Sequence, residues 1–143
     1  MTIEVLHKFE LDEKTQRRIS ELYKQLNSII VQRPLHQILQ EDNHVLFVVC
    51  KEGDDILGIA LMAMYKVISG YRGMVEDVVV DEAHRGKGIG RKLMEKLLEE
   101  ARHRGLDEVM LFSGHHRKPA IGLYKSLGFQ LRPSGLYNLK LSE

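Results

Sequence analysis

The sequence of 143 residues holds a single cysteine, no tryptophan and three scattered prolines. With Cys50 alone, an intrachain disulfide is excluded, and so is a metal site built on two or more thiolates. Cys50 lies in an apolar run and reads as a small core residue. A chain without disulfides suits a reducing compartment, so a cytoplasmic location is expected. Long apolar stretches are missing too. Ile56 to Tyr65, broken by Gly58, is about ten residues, against the roughly 20 that a bilayer requires. The opening MTIEVLHKFELDEK lacks a basic start, an apolar centre and a cleavage site, so no secretory leader is expected. Charge of one sign is absent as well: 21 basic against 20 acidic residues leave a formal net charge of +1. That balance argues against coating nucleic acid or an anionic membrane, though it permits a local basic site. No repeat, low-complexity tract or linker interrupts the chain, and the expectation is one domain over 1–143.

What is present is a regular alternation of apolar patterns. Residues 2–9 read as a strand, and Asp12 as the N-cap of an amphipathic helix over 12–30, with Ile19, Leu22, Tyr23, Leu26, Ile29 and Ile30 on its inner stripe. Pro34 opens a short second helix with Leu35, Ile38 and Leu39 facing inward. Val45 to Cys50 is continuously apolar and suits a strand covered on both faces. A turn at 51–55, a strand at 56–66, a turn at Ser69-Gly70 and a strand at 75–80 come next. Ile89, Leu93, Met94, Leu97, Leu98 and Ala101 mark the clearest helix, which stops at Gly105. A strand at 108–112, a helix at 119–127 and strands at 129–131 and 137–141 complete the order. The fold class is α/β with a mixed sheet: the early strands antiparallel, and the 75–80 and 108–112 strands parallel across a helix.

The most informative stretch runs from Val75 to Met94. A strand enters a loop with Gly86, Gly88 and Gly90 at alternate positions, and a strong helix starts at once. Glycine lets amide N–H groups turn inward, and the first helical turn adds donors and the positive end of the helix dipole. Arg85, Lys87, Arg91 and Lys92 add formal charge, so a pyrophosphate fits the place. A Walker A loop is excluded because no Gly-Lys-Ser/Thr occurs, and a dinucleotide fold because its G-x-G-x-x-G and its length are missing. Downstream, Ala120 to Phe129 reads as a short helix, a glycine stop and an aromatic strand start. By spacing alone Tyr124 is a packed aromatic.

Taken together, Arg85-x-x-Gly88-x-Gly90 opening a helix resembles the acetyl-CoA loop of the GNAT superfamily of N-acetyltransferases. Leu123-Tyr124-Lys-Ser-Leu-Gly128-Phe129, some 35 residues later, resembles that superfamily's second conserved block. The order of elements is similar over nearly the whole chain, as in small, single-domain, bacterial-type members. The resemblance implies that acetyl-CoA is the co-substrate and that no metal is needed. It implies that main-chain groups of Val78, Val79 and Val80 bind the pantetheine arm and polarise the thioester carbonyl, with a bulge near Val79 to aim it. The diphosphate would lie over Arg85, Gly86, Lys87, Gly88, Ile89, Gly90 and Arg91, where the 75–80 and 108–112 strands splay apart.

The superfamily commonly uses the tyrosine at the position of Tyr124 as the acid that protonates the leaving thiolate. Glu76 becomes the base candidate. Two-residue alternation puts it on one face with Val78 and Val80, and Asp77 on the other. A strand-end carboxylate that pairs with a lysine or binds substrate is the competing reading of Glu76. Asp81 and Glu82 belong to the turn. Many relatives carry an asparagine seven residues before the tyrosine, whereas this chain has Arg117, which with Lys118 is placed to reach the 3′-phosphate of CoA or an acidic substrate. His115 and His116 lack a third ligand for a metal. The expected acceptor is a primary amine of a small molecule, its pocket formed from 28–40, 66–73 and 132–138. Alternatives are a protein or peptide terminus, or a CoA-binding module without catalysis. No nucleic acid or membrane partner is expected, and the resemblance carries a homodimer through late strands.

Overall fold

The computed structural model describes residues 1–114 and 118–142. They fall into two compact units, Met1–Phe112 and Ser113–Glu143. The first unit holds a five-stranded sheet in the order β1-β2-β3-β4-β5, with β1 Thr2–Val5, β2 Val45–Glu52, β3 Asp55–Val67, β4 Gly70–Val80 and β5 Glu108–Leu111. Strands β1 to β4 pair antiparallel with one another, and β4 and β5 are parallel. The mixed α/β architecture is therefore the one expected. Among the described residues no helix is long and apolar enough to cross a membrane.

Helices α1 (Glu13–Leu26) and α2 (Leu35–Ile38) cover one face of the sheet, and α3 (Ile89–His103) covers the other. On the α1 face Ile19 and Leu22 pack with Phe47, Val49, Ile59, Leu61 and Val79, and Leu35, Ile38 and Leu39 join at the edge. On the other face Ile89 and Leu93 of α3 come so close to Gly58 that a Cβ there would stand 3.1 Å from each. The strand β2 serves both layers, which is why its apolar run is continuous: Leu46 to Cys50 are all buried. Cys50 sits within that run as a core residue.

Several sequence expectations need correction. The helix expected over 12–30 ends at Leu26, because Asn27 is extended and its Oδ1 accepts the N–H groups of Ile29 (3.0 Å) and Ile30 (3.2 Å), a side-chain turn that competes with the helical ladder. Ile29 is consequently 91% exposed and leaves the inner stripe. The first strand stops at Val5, and Lys8–Glu10 forms a 3-10 turn closed by Glu10 on the His7 N–H. The strand expected from 75 starts at Gly70, since the turn before it lets Gly70–Val80 pair with Gly58–Val67 of β3.

In the second unit α4 spans Lys118–Ser126. The strands expected at 129–131 and 137–141 are not formed among the described residues. Tyr137, Leu139 and Leu141 alternate as a strand would, yet they are 98%, 84% and 93% exposed. Alternation supplies a face but no partner, and a strand exists only through its ladder.

Candidate active site

The site is built on β4 and on the turn and glycine loop that lead from it into α3. Up to Glu76 the strand pairs with β3 in one register: Val75 opposes Met62 and Glu76 opposes Leu61. Beyond, Val79 opposes Ile59 and Val80 opposes Gly58. Asp77 and Val78 therefore share Ala60, which is a β-bulge on β4, two residues from the position expected. Asp77 has a φ of 38°, and no other non-glycine among the described residues has a positive φ. Such strain concentrates where backbone geometry serves a site.

The extra residue reverses the alternation. Residues paired across antiparallel strands share a face. Glu76 thus lies with Leu61 and Val79 on the α1 face, not with Val78 and Val80 as simple alternation implied. Asp77, expected on the opposite face, lies near Tyr23 of α1, close enough for its charge to act on the phenol. Burial, and then the charge of Asp77, raise the Glu76 carboxyl above the usual glutamate range. Burial also raises Asp77, with Tyr23 opposing the rise. Tyr23 is itself raised by burial and by Asp77. Neither carboxylate has an ion-pair partner among the described residues.

On the other side of β4, pairing with β5 covers only Arg72–Val75 against Glu108–Leu111. Among the described residues no strand pairs with Glu76–Val80 on that side. This is the splay that the parallel pair was expected to show. The strand then runs into a 3-10 turn at Glu82–His84 and the glycine loop. Gly86 and Gly88 have φ of 82° and 78°, conformations that a Cβ disfavours. The helical ladder of α3 starts with the Lys92 N–H on the Gly88 carbonyl (3.2 Å), which leaves the Ile89 and Gly90 amides outside it. Left-handed glycines, spare amides and the basic side chains Arg85 and Lys87 are the donor set a diphosphate needs.

The Acetyltransferase (GNAT) pattern matches residues 7–129. The chain belongs to that family. Over 78 residues it is 36% identical to L-methionine sulfoximine/L-methionine sulfone acetyltransferase of Pseudomonas aeruginosa, covering 54% of this chain and 45% of that protein. It is 30% identical over 129 residues to an IAA acetyltransferase of Azospirillum brasilense, covering 90% of this chain and 80% of that one. The chain thus spans less than half of the former relative and most of the latter. The fold also matches the crystal structure of an aminoglycoside acetyltransferase from an uncultured soil metagenomic sample, with a TM-score of 0.81, 22% identity, and coverage of 99% of this chain and 100% of that one.

Within this GNAT chain the residues expected at the site divide between the units. Glu76, Val78 to Val80 and Arg85 to Arg91 form one continuous strand, loop and helix start in the first. Val79 buries its side chain at 3% exposure, which is compatible with a main-chain role. Arg85 donates from Nε to the Val80 carbonyl (3.2 Å), and Arg91 pairs with Glu95 at 3.2 Å on the helix surface. Tyr124 is on α4 in the second unit, edge-on to Phe129 with ring centroids 6.1 Å apart. Arg117, His115 and His116 lie outside the described residues. Among the described residues no three His, Cys, Asp or Glu gather around a metal position.

Two features carry no signal in the sequence pattern. Ser113, just after β5, has a buried Oγ with no hydrogen-bond partner among the described residues, a state that usually costs about 1–3 kcal/mol unless a ligand satisfies it. Asp81 is more than a turn residue. It accepts from Gln25 Nε2 at 3.1 Å and from Arg18 Nη2 at 3.0 Å. Its Oδ2 also lies 3.2 Å from His84 Nδ1. Gln25, and then Arg18, Ala83 and His84, hold its carboxyl down at about 2.

The depressed carboxyl ties stability to pH in one direction. The unfolded chain releases the Asp81 proton at about 3.9. The stabilisation is therefore complete above about pH 4 and is lost as the pH falls toward about 2. Thermal midpoints measured from about pH 5 to about pH 2 should fall more steeply for wild type than for Asp81→Asn. Parallel curves would show that the carboxylate contributes nothing.

Proposed function

We propose that the chain is an N-acetyltransferase that moves the acetyl group of acetyl-CoA directly to a primary amine of a small molecule, within one catalytic domain. The carrying observation is the unbroken run of open strand, bulge and left-handed glycine loop from Glu76 to Gly90, inside a matched GNAT region. Main-chain groups of Val78, Val79 and Val80 hold the pantetheine arm. The loop amides, with Arg85, Lys87 and Arg91, take the diphosphate, and Arg117 the 3′-phosphate.

Glu76 removes a proton from the acceptor ammonium. A carboxyl raised by partial desolvation and by the Asp77 charge has a conjugate base better matched to that task than an ordinary glutamate. The freed nitrogen lone pair attacks the thioester carbonyl carbon. The C–N bond forms, the C–S bond breaks, the thiolate leaves with a proton supplied by Tyr124, and the surplus proton on the new amide nitrogen returns to the Tyr124 phenolate. The products are an N-acetyl amide and CoA.

Two carboxylates at the bulge without an ion-pair partner, Glu76 and Asp77, favour a cationic acceptor. The Pseudomonas relative, an L-methionine sulfoximine/L-methionine sulfone acetyltransferase, favours a small one, such as an amino acid derivative. The reaction runs in the cytoplasm, without a metal, in a monomer or a homodimer.

The test is an acceptor screen with acetyl-CoA that follows free thiol across amino acids, amino sugars, polyamines and peptides. Thiol release above the acceptor-free rate with a small amine is the expected result. Release with peptides alone would move the acceptor class. No release, with CoA still bound in calorimetry, would leave a binding module in place of an enzyme.

A further inference from the structure

Helix α1 grips the segment between the bulge and the glycine loop. Arg18 and Gln25 are seven residues apart, so they share one helix face. Arg18 donates from Nη2 to Asp81 Oδ2 at 3.0 Å, and from Nε to the Ile56 carbonyl at 3.0 Å and to Asp55 Oδ1 at 3.1 Å. Gln25 donates to Asp81 Oδ1 and, through its own Oε1, accepts the Glu82 N–H at 2.8 Å. The Asp81 N–H donates to the Leu57 carbonyl at 2.8 Å. The Asp81 carboxylate also accepts the Ala83 N–H at 3.4 Å, as the cap of the 3-10 turn. One aspartate thus ties α1, β3 and the turn together, four residues before Arg85.

We propose that Asp81 is a positioning residue for CoA binding: braced by Arg18 and Gln25, it fixes the upstream end of the glycine loop. This rests on the reading of that loop as the diphosphate site. The downstream end is anchored by Ile89, 1% exposed in the core. Between the ends Arg85 donates from Nε to the Val80 carbonyl at 3.2 Å, but the glycines themselves are open: a Cβ built on Gly86 or Gly88 meets no atom within 4 Å. A glycine loop with few contacts of its own depends on its ends for its shape. Releasing one end makes the ligand supply the ordering that the fold otherwise provides in advance. The loss should fall on the diphosphate alone, because the pantetheine arm is assigned to β4, which the sheet holds independently.

The experiment is calorimetry on the full chain with two ligands: CoA, which carries the diphosphate, and pantetheine, which lacks it. For Asp81→Asn we expect CoA to bind about tenfold more weakly and pantetheine as in wild type, the worth of one charge-assisted hydrogen-bond set. Gln25→Ala, at an exposed position, removes two hydrogen bonds and should weaken CoA about threefold. This second variant carries the test should Asp81→Asn fail to fold, and melting curves report that directly. Equal weakening of both ligands would make Asp81 a merely structural residue and overturn the proposal. Unchanged CoA affinity in the folded variants would do the same. Wild type that binds pantetheine but gains nothing from the diphosphate of CoA would instead overturn the reading of the loop, and the brace with it.

Discussion

Replacing Glu76 with glutamine should lower kcat by about 10²–10⁴-fold, the usual worth of a positioned general base, while CoA affinity stays where it was. Glutamine keeps the size of the side chain and its place opposite Leu61, so the bulge and the sheet are undisturbed. The same carboxyl should govern the acidic limb of kcat/KM against pH. Burial and the Asp77 charge both disfavour its ionised form, so the limb belongs above the ordinary glutamate value of about 4.3. Activity is absent while the group is protonated and appears as the pH rises through its pKa. Asp77→Asn removes the neighbouring negative charge, so the limb should move to lower pH. Asparagine, like aspartate, is among the non-glycine residues that best tolerate the positive φ at this position, so that shift should come without loss of fold. A Glu76→Gln enzyme with wild-type kcat would place the base elsewhere, and Asp77, beside Tyr23, would be the next residue to test.

What can be read in the sequence is what is local. The glycine loop is visible because left-handed φ and the onset of an amphipathic helix are properties of neighbouring residues. The helix α3 is legible from its stripe, and β2 from its unbroken run of apolar residues. The bulge is legible only to within two residues, and its consequence not at all. Which face Glu76 occupies depends on counting β4 against β3, and that count exists only once Leu61 and Ile59 are known as partners. Periodicity overextends α1 because Ile29 and Ile30 continue its spacing, while the stronger local signal is the Asn27 side chain. The alternation at 137–141 is real, but a ladder partner is a long-range fact. The Asp81 brace is invisible for the same reason. Arg18 and Gln25 can be placed on one helix face, but the aspartate they hold lies 63 and 56 residues further on.

Leu93→Ala should cost about 2–5 kcal/mol, the range for deleting a fully buried leucine, and lower the melting midpoint by about 2–4 °C per kcal/mol in a chain of this size. Leu93 is 0% exposed on the buried stripe of α3 and faces Gly58 of β3. The cavity left by alanine cannot be filled from across the interface, because Gly58 offers no side chain and the backbone is already at contact distance. The obvious repair, Gly58→Ala, fails on wild type for the opposite reason. Its Cβ would stand 3.1 Å from Ile89 and Leu93 and 3.2 Å from the Val79 carbonyl. Overpacking of that kind costs about 1–3 kcal/mol. Combined with Leu93→Ala, however, the same methyl loses one of its three close contacts and enters the vacated space, so the double variant should cost less than the sum of the two single changes. The pair separates stability from the site. Leu93 lies a full turn beyond the amides of Ile89 and Gly90, so Leu93→Ala below its midpoint should bind CoA as wild type does, and saturating CoA should raise both midpoints by ligand linkage. A Leu93→Ala protein that is stable but blind to CoA would show instead that the start of α3 is set by packing at its middle, and that the glycine loop is not held from its ends.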